Sequence, residues 1–236
     1  MSEESLVKVK QYGYRGELVL NRENKKNALT GPLVSQLRDK LQVLLDNPEC
    51  RVIIIRGAGG VFCAGLDLPS FFGDKKPEWV SKFPLNWQSF HEAVYNSNKP
   101  IIGALEKYAI AAGAALALAC DFLIVGENAV LHVSEVEKGI LAPLNIAWLM
   151  LKWGTGRALN LVLGGERQTG VELVNKGIAY VAVSDERVIE KAREIADRLA
   201  GFSPDGITET IRAIRSAGSQ DSFSEVVRNI RSPREF

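Results

Sequence analysis

The sequence has few of the residues that would indicate a metal centre or a disulfide scaffold. Its 236 residues include only two histidines, His91 and His132, which stand far apart, and three cysteines at no spacing typical of a zinc site. So few cysteines in a chain of this length are typical of buried, reduced thiols. The sequence therefore predicts no metal site.

The chain also lacks an excess of charge of one sign. Lys and Arg number 29 against 28 Asp and Glu, and because they are dispersed they do not indicate a nucleic-acid or membrane partner. The most apolar run, "YAIAAGAALALACD" at 108–121, falls short of the ~20 residues that span a bilayer. The first residues, "MSEESLVKVK", are acidic where a targeting peptide is not. We therefore expect a cytoplasmic protein without nucleic-acid or membrane partners.

Strand and helix signals alternate along the first part of the chain. The continuous β-branched run "RVIIIRG" at 51–57 predicts a strand covered on both faces, and "KPIIGALE" at 99–106 predicts another. Before the first of these strands, apolar residues at helical spacing predict a helix that begins near Thr30 and ends before Pro48. After about residue 143 the pattern is mostly helical. This order predicts an α/β fold with a helical C-terminal part.

Residues 108–121 are mostly small, so another part of the molecule or a ligand could come close to their backbone. Alanine favours a helix, and a central glycine is tolerated at modest cost, so we expect a short, closely packed helix. This segment and "FCAGLDL" at 62–68 each follow a buried strand, at the edge where α/β sheets bind ligands. Two backbone amides from such segments could form an oxyanion hole, although the alanines could equally serve only tight packing. The nearby "GAGG" lacks the spacing of a dinucleotide-binding turn.

Taken together, the motifs of the chain resemble those of the crotonase (enoyl-CoA hydratase/isomerase) superfamily. "NKKNAL", "RVIIIRGAGGVFCAGLDL", "KPIIGALEKYAIAAGAALALACDFLIV", "SEVEKGILAP" and "GRALNLVLGGERQTGVELVNKGIAYVAV" occur in the family's order and spacing over nearly the whole chain. The resemblance implies a ββα spiral core, expected over 1–185, and a shortened helical region at 186–236 that in the family builds trimers, often stacked as hexamers. It also implies acyl-CoA thioester substrates and no separate cofactor, because coenzyme A is part of the substrate.

The resemblance also assigns binding roles. The thioester oxygen is expected between the backbone amides of Leu66 and Ala112. Lys25 and Lys26 are expected phosphate contacts, although an exposed basic pair is common without any ligand. Asp67 is expected to order its turn through its backbone. The full expected substrate site comprises Ala64, Gly65, Leu66, Asp67, Leu68, Ala112, Lys25 and Lys26.

The number of glutamates at the expected site helps to distinguish the possible reactions. Family hydratases use two glutamates; the first would fall at Ala115, and the second is retained as Glu135. Hydration commonly divides its proton transfers between two groups, whereas a double-bond shift needs one base that removes and returns a proton. The single glutamate resembles mitochondrial-type Δ3,Δ2-enoyl-CoA isomerases, and hydroxycinnamoyl-CoA hydratase-lyases are similar here. We therefore predict an enoyl-CoA isomerase with Glu135 as its proton shuttle; a hydratase and a non-catalytic acyl-CoA-binding subunit remain alternatives.

Other residues near the predicted site have simpler interpretations. Glu137 follows Glu135 so closely that the pair could be a solvated feature of a loop, and His132 is expected to pack against or cap a strand. An aromatic group could line an acyl pocket or could be ordinary core. Its members are Phe71, Phe72, Trp79, Phe83 and Trp87.

Overall fold

The computed structural model describes residues 5–218 and 221–231. A six-stranded sheet has the order β1-β2-β3-β4-β6-β9, in which β1 is antiparallel to β2 and the other pairs are parallel; a smaller sheet has the order β5-β7-β8. The strands are β1 Val7–Tyr12, β2 Arg15–Leu20, β3 Val52–Gly57, β4 Ile101–Leu105, β5 Tyr108–Ile110, β6 Phe122–Gly126, β7 Val130–His132, β8 Gln168–Thr169 and β9 Val181–Val183.

Helices cover both faces of the larger sheet and make up most of the described residues after β9. They are α1 Gly31–Asp46, α2 Leu68–Phe72, α3 Trp79–Tyr95, α4 Ala112–Ala119, α5 Pro143–Leu163, α6 Gly170–Asn175, α7 Val188–Ala200, α8 Pro204–Gly218 and α9 Phe223–Arg231. The predicted helix near Thr30 is confirmed: the Thr30 side chain accepts a hydrogen bond from the Leu33 amide and caps α1.

The chain repeats one unit, in which a strand of the larger sheet leads through a short extended segment into a helix. After β4 comes β5 and then α4; after β6 comes β7 and then α5. The segment after β3 follows the same course, because Cys63 forms a parallel bridge with Ala109 of β5. These repeats confirm the predicted α/β class and stack the loops after the strands at one edge of the molecule.

The alternation of side chains along each strand explains how one sheet packs against helices on both of its faces. Ile53 and Ile55 of β3 belong to the core beneath α1, α3, α4 and α5, whereas Val52 and Ile54 face helix α7. Successive side chains of a strand point to opposite faces, so a continuous apolar run is what a doubly covered strand requires. The predicted boundary at residue 185 stays a prediction, but α7, which lies beyond it, packs against this sheet.

The structure corrects one helix prediction. In the run 108–121, the residues Tyr108–Ile110 form β5, and the helix begins only at Ala112. Pairing with β7 explains the difference, since tertiary hydrogen bonds outweigh the helix propensity of the alanines. The helical segments after residue 143 join into α5, which has a break at Gly154, where φ is 75°.

All three cysteines lie among the described residues. Cys50, Cys63 and Cys120 are free and buried, as predicted, and burial raises the pKa of Cys63 and Cys120 to about 12. Within 5–218 and 221–231, no three or more His, Cys, Asp or Glu residues are grouped to hold a metal ion. Over the same ranges, every helix is too short or too polar to cross a bilayer.

Candidate active site

Close contact between two backbones forms the first part of the site. The Cys63 amide donates to the Tyr108 carbonyl at 3.2 Å, and the Ile110 amide donates to the Cys63 carbonyl at 3.1 Å. Helix α4 then begins directly against residue 63: a Cβ placed on Gly113 would lie 2.4 Å from the Cys63 carbonyl oxygen. Only glycine fits there, so the small residues of α4 allow the segment 63–66 and the helix start to lie side by side.

The Leu66 amide is available at this junction. Gly65, with φ of +92°, accepts from the Leu29 amide at 2.7 Å, and the Asp67 amide donates to the Leu29 carbonyl at 3.0 Å. Because successive peptide groups of an extended segment point to opposite sides, the Leu66 amide points away from Leu29. It donates to no backbone carbonyl of the described residues. A half-buried, unpaired N–H at this edge can donate to a bound oxygen.

The second amide belongs to Ala112, the first residue of α4, where helix geometry leaves N–H groups unpaired. The preceding residue, Ala111, has φ of 51° and ψ of −115°, a conformation that L-residues rarely adopt. Hydrogen bonds hold it there: its amide donates to the His132 carbonyl at 2.8 Å, and its carbonyl accepts from Asn145 Nδ2 at 3.3 Å. The strained residue sets the direction of the Ala112 N–H.

Glu135 follows β7 and precedes a short turn, and its carboxylate has one side-chain donor. Oε1 accepts from Asn145 Nδ2 at 3.0 Å, whereas Oε2 is buried and accepts no hydrogen bond from the described residues. Burial raises the pKa of Glu135; the nearby amides of Glu135 and Ser134 and the charges of Lys138 and His132 oppose this shift without cancelling it. The arrangement provides a carboxylate with one oxygen held and one oxygen free.

Asn145 belongs to the candidate site although the sequence did not predict it. It lies in the first turn of α5, is 2% exposed, and joins Glu135 to the Ala111 carbonyl. A single amide side chain within the apolar run "APLNIAWLML" was the available signal, because a buried polar residue needs hydrogen-bond partners.

Ala115, which stands where family hydratases are expected to have the first of their two glutamates, is part of the hydrophobic core. Ala115 lies in α4 and is 1% exposed. His132 Nε2 lies 2.7 Å from Glu137 Oε1 and 2.9 Å from the Gly165 carbonyl oxygen, so this nitrogen donates. Glu137, whose side chain is 48% exposed, is thus held by His132 rather than by the groups around Glu135.

The expected coenzyme A residues lie together beside the first amide. The Ala64 amide donates to the Lys26 carbonyl at 3.1 Å, which brings the exposed Lys25–Lys26 pair next to the segment 64–66. Asp67 orders its turn through its carbonyl, which accepts from the Ser70 amide at 2.9 Å. Its side chain additionally pairs with Arg22 at 2.5 Å, and Leu68 is exposed.

The aromatic group divides between core and surface. Phe83 and Trp87 are buried, and Phe71 contacts Phe83 and Trp79 edge-on, with ring centroids 4.8 and 5.3 Å apart. Phe72 is 66% exposed. Two cavities of about 980 and 790 Å³ lie along helix α8, and neither Glu135 nor Asn145 lines them. Hydrogen-bonding geometry, not cavity volume, therefore identifies the candidate site.

Two unpaired amides, and a buried carboxylate joined to one of them through Asn145, are groups that can stabilise an oxyanion and move a proton. Over residues 16–229 the chain matches the family model described as Enoyl-CoA hydratase/isomerase. The chain therefore belongs to this family, the crotonase superfamily.

Several known proteins are similar to the chain. A probable enoyl-CoA hydratase of Bacillus subtilis is 32% identical over 192 residues, covering 80% of this chain and 74% of that protein. The carnitinyl-CoA dehydratase of Proteus mirabilis is 30% identical over 218 residues, covering 92% and 82%. Among solved structures, an enoyl-CoA hydratase from Bacillus anthracis has a TM-score of 0.85 at 28% identity and covers 96% of this chain and 89% of that one. These likenesses support an acyl-CoA enzyme of the crotonase family.

Proposed function

We propose that the protein is an enoyl-CoA isomerase that converts a 3-enoyl-CoA into a 2-enoyl-CoA. The observation that carries the proposal is that Glu135 has a free, buried carboxylate oxygen while Ala115 fills the place of a second glutamate. A double-bond shift needs one group that takes and returns a proton, whereas hydration commonly divides its proton transfers between two groups.

The reaction uses Glu135 and the two amides. Oε2 of ionised Glu135 takes a proton from carbon 2, and the electron pair of that C–H bond moves towards the thioester carbonyl to form an enolate. The amides of Leu66 and Ala112 donate to the enolate oxygen, and the positive end of the α4 dipole stabilises its charge. Glu135 then returns the proton to carbon 4, and the double bond forms between carbons 2 and 3.

The environment of Glu135 suits a group that must both accept and donate a proton. Burial raises its pKa from the usual glutamate value of 4.5, which makes the carboxylate a stronger base. General acid–base groups work best when their pKa lies near the working pH.

Hydration is a second candidate because the similar proteins named above are called hydratases or dehydratases. It would require a second proton donor in place of Ala115. Glu137 would have to give up its contact with His132 to serve this role. We therefore place isomerisation first.

A paired assay separates the candidates. The purified protein is given a 3-enoyl-CoA and, separately, a 2-enoyl-CoA, and the conjugated thioester is followed by ultraviolet absorbance. We expect the signal to rise with the first substrate and to stay constant with the second. Loss of the conjugated signal from 2-enoyl-CoA would establish hydration instead, and binding without turnover would establish an acyl-CoA-binding subunit.

We also propose that the chain assembles as a trimer or hexamer. Helix α5 leaves Met150, Leu159 and Leu163 between 40% and 65% exposed, and an apolar face of this kind favours association. Light scattering at micromolar concentration tests this proposal, and a monomer would contradict it. Cytoplasmic location remains an expectation from the sequence.

A further inference from the structure

One side-chain amide contacts both halves of the candidate site. Asn145 Nδ2 lies 3.0 Å from Glu135 Oε1 and 3.3 Å from the Ala111 carbonyl oxygen. Both partners are acceptors, so the atom that faces them must be the nitrogen, whose two hydrogens can serve one partner each. The orientation of the amide group follows from this network.

The second of these contacts acts on the oxyanion amide. The Ala111 carbonyl and the Ala112 N–H belong to one peptide unit, which is planar and trans, so fixing the carbonyl also fixes the direction of the N–H. The Ala111 conformation is strained, and such residues persist only where neighbouring contacts hold them. Three contacts hold Ala111: Asn145 Nδ2 and the Ala115 amide donate to its carbonyl, at 3.3 and 3.1 Å, and its own amide donates to the His132 carbonyl. Of these, only the contact with Asn145 also reaches Glu135.

The first contact acts on the base. Occupying Oε1 leaves Oε2 as the oxygen that can take a proton. Asn145 is itself almost fully buried in the first turn of α5, so its side chain is held by packing and does not exchange its partners for water. The base and the oxyanion amide therefore share one rigid support.

We propose that Asn145 is a positioning residue that fixes the carboxylate of Glu135 and the Ala112 amide relative to each other. The proposal rests on the proposed role of Glu135 as the base. It implies that losing the amide group disturbs proton removal and enolate stabilisation together, while the substrate still binds.

The test uses Asn145→Leu, which keeps the approximate volume but not the hydrogen bonds, and Asn145→Asp, which keeps the shape but removes the N–H donors. Exchange of the carbon-2 protons of a saturated acyl-CoA in D₂O, followed by proton NMR, reports proton removal without depending on the fate of a double bond. We expect exchange to slow about 10²-fold in both variants, the loss expected when reacting groups are misplaced. Asn160→Asp is the matched control, because this asparagine is exposed on the same helix.

A second readout does not require turnover. The Glu135 carboxyl is titrated by carbon-13 NMR in the full-length protein, with Glu135→Gln identifying its signal. Losing a donor to the ionised form should raise the pKa of Glu135 in Asn145→Leu, and the additional negative charge should raise it further in Asn145→Asp. The charges of Lys138 and His132, which also act on Glu135, are the same in all variants.

These two readouts separate failure of the proposal from failure of the proposed function. Wild-type exchange without isomerisation would contradict the isomerase but leave the test of Asn145 intact. Slower exchange with an unchanged Glu135 titration in both variants would show a merely structural role and overturn the proposal. Wild-type exchange rates in Asn145→Leu would also overturn it.

Discussion

Glu17 and Glu135 both hold a carboxylate away from water, but their surroundings differ in kind. Glu17, on β2 beneath helix α7, is 0% exposed and accepts from Arg193 Nε at 2.7 Å and Arg56 Nε at 3.0 Å. Burial opposes its ionisation, yet these charged hydrogen bonds outweigh burial and hold its pKa below the usual value. The ionised form of this carboxylate is therefore favoured, and both of its oxygens accept hydrogen bonds from arginine.

The surroundings of Glu135 differ from those of Glu17 in their hydrogen-bond donors and in their effect on the pKa. It receives one neutral side-chain donor, one of its oxygens accepts nothing from the described residues, and burial raises its pKa. The surroundings of a carboxylate decide what it can do. A carboxylate surrounded by guanidinium groups is stabilised in one charge state, whereas a desolvated carboxylate with few donors can act as a base, the role proposed for Glu135.

The largest change in stability is expected at the structural glutamate. Glu17→Gln removes the negative partner of three arginines, Arg15, Arg56 and Arg193. It should lower the free energy of unfolding by about 3–5 kcal/mol, the usual consequence of breaking a buried ion pair. Activity per folded molecule should stay at the wild-type level, because this region lies under α7 and away from Glu135.

Chemical denaturation measures that loss. Glu194→Gln, which removes an exposed partner of Lys191 on α7, is the control and should leave stability close to that of the wild type, because exposed ion pairs contribute little. A change in Glu17→Gln as small as that of the control would show that the two carboxylates differ less than their contacts indicate.

A smaller effect is expected where the oxyanion amides meet. In Gly113→Ala the added Cβ would lie 2.4 Å from the Cys63 carbonyl oxygen, so helix α4 must move away from the segment 63–66. We expect turnover to fall about 10²-fold, because misplaced reacting groups lose rate steeply. Gly156→Ala on α5 is the control, since a Cβ there meets no atom within 4 Å. Equal turnover in both variants would contradict this account of the contact.

The smallest effect is a pH dependence of stability. The folded state raises the pKa of Glu135, so it favours the protonated form, and this contribution is full at low pH and is lost as pH rises through the folded-state pKa. Glu135→Gln removes the contribution. Melting temperatures of variant and wild type should therefore diverge in favour of the variant as pH increases from 4 to 8, and a constant difference would contradict the raised pKa.

Much of the fold and part of the candidate site could be predicted from the sequence. The β-branched run of β3 and the predicted helix α1 appear where expected, because they are defined by local patterns. The segment 62–68 lies against the start of α4, as expected from the two strands that precede these segments.

The remaining features depend on contacts between distant positions. Glu17 resembles an ordinary strand residue in "GELVL", and only the fold brings Arg193 to it from 176 residues away. Asn145 likewise gains its role from a partner 34 residues away. The early start assigned to α4 followed helix propensity, which the pairing of β5 with β7 overrides.

The most direct test of the central claim is the isomerisation rate of Glu135→Gln with 3-enoyl-CoA. The amide can still accept from Asn145 but cannot take the carbon-2 proton, so we expect the rate to fall by about 10²–10⁴-fold or more. Acyl-CoA binding should be unchanged, and Glu137→Gln should remain active. A rate in Glu135→Gln close to that of the wild type would contradict the role assigned to Glu135.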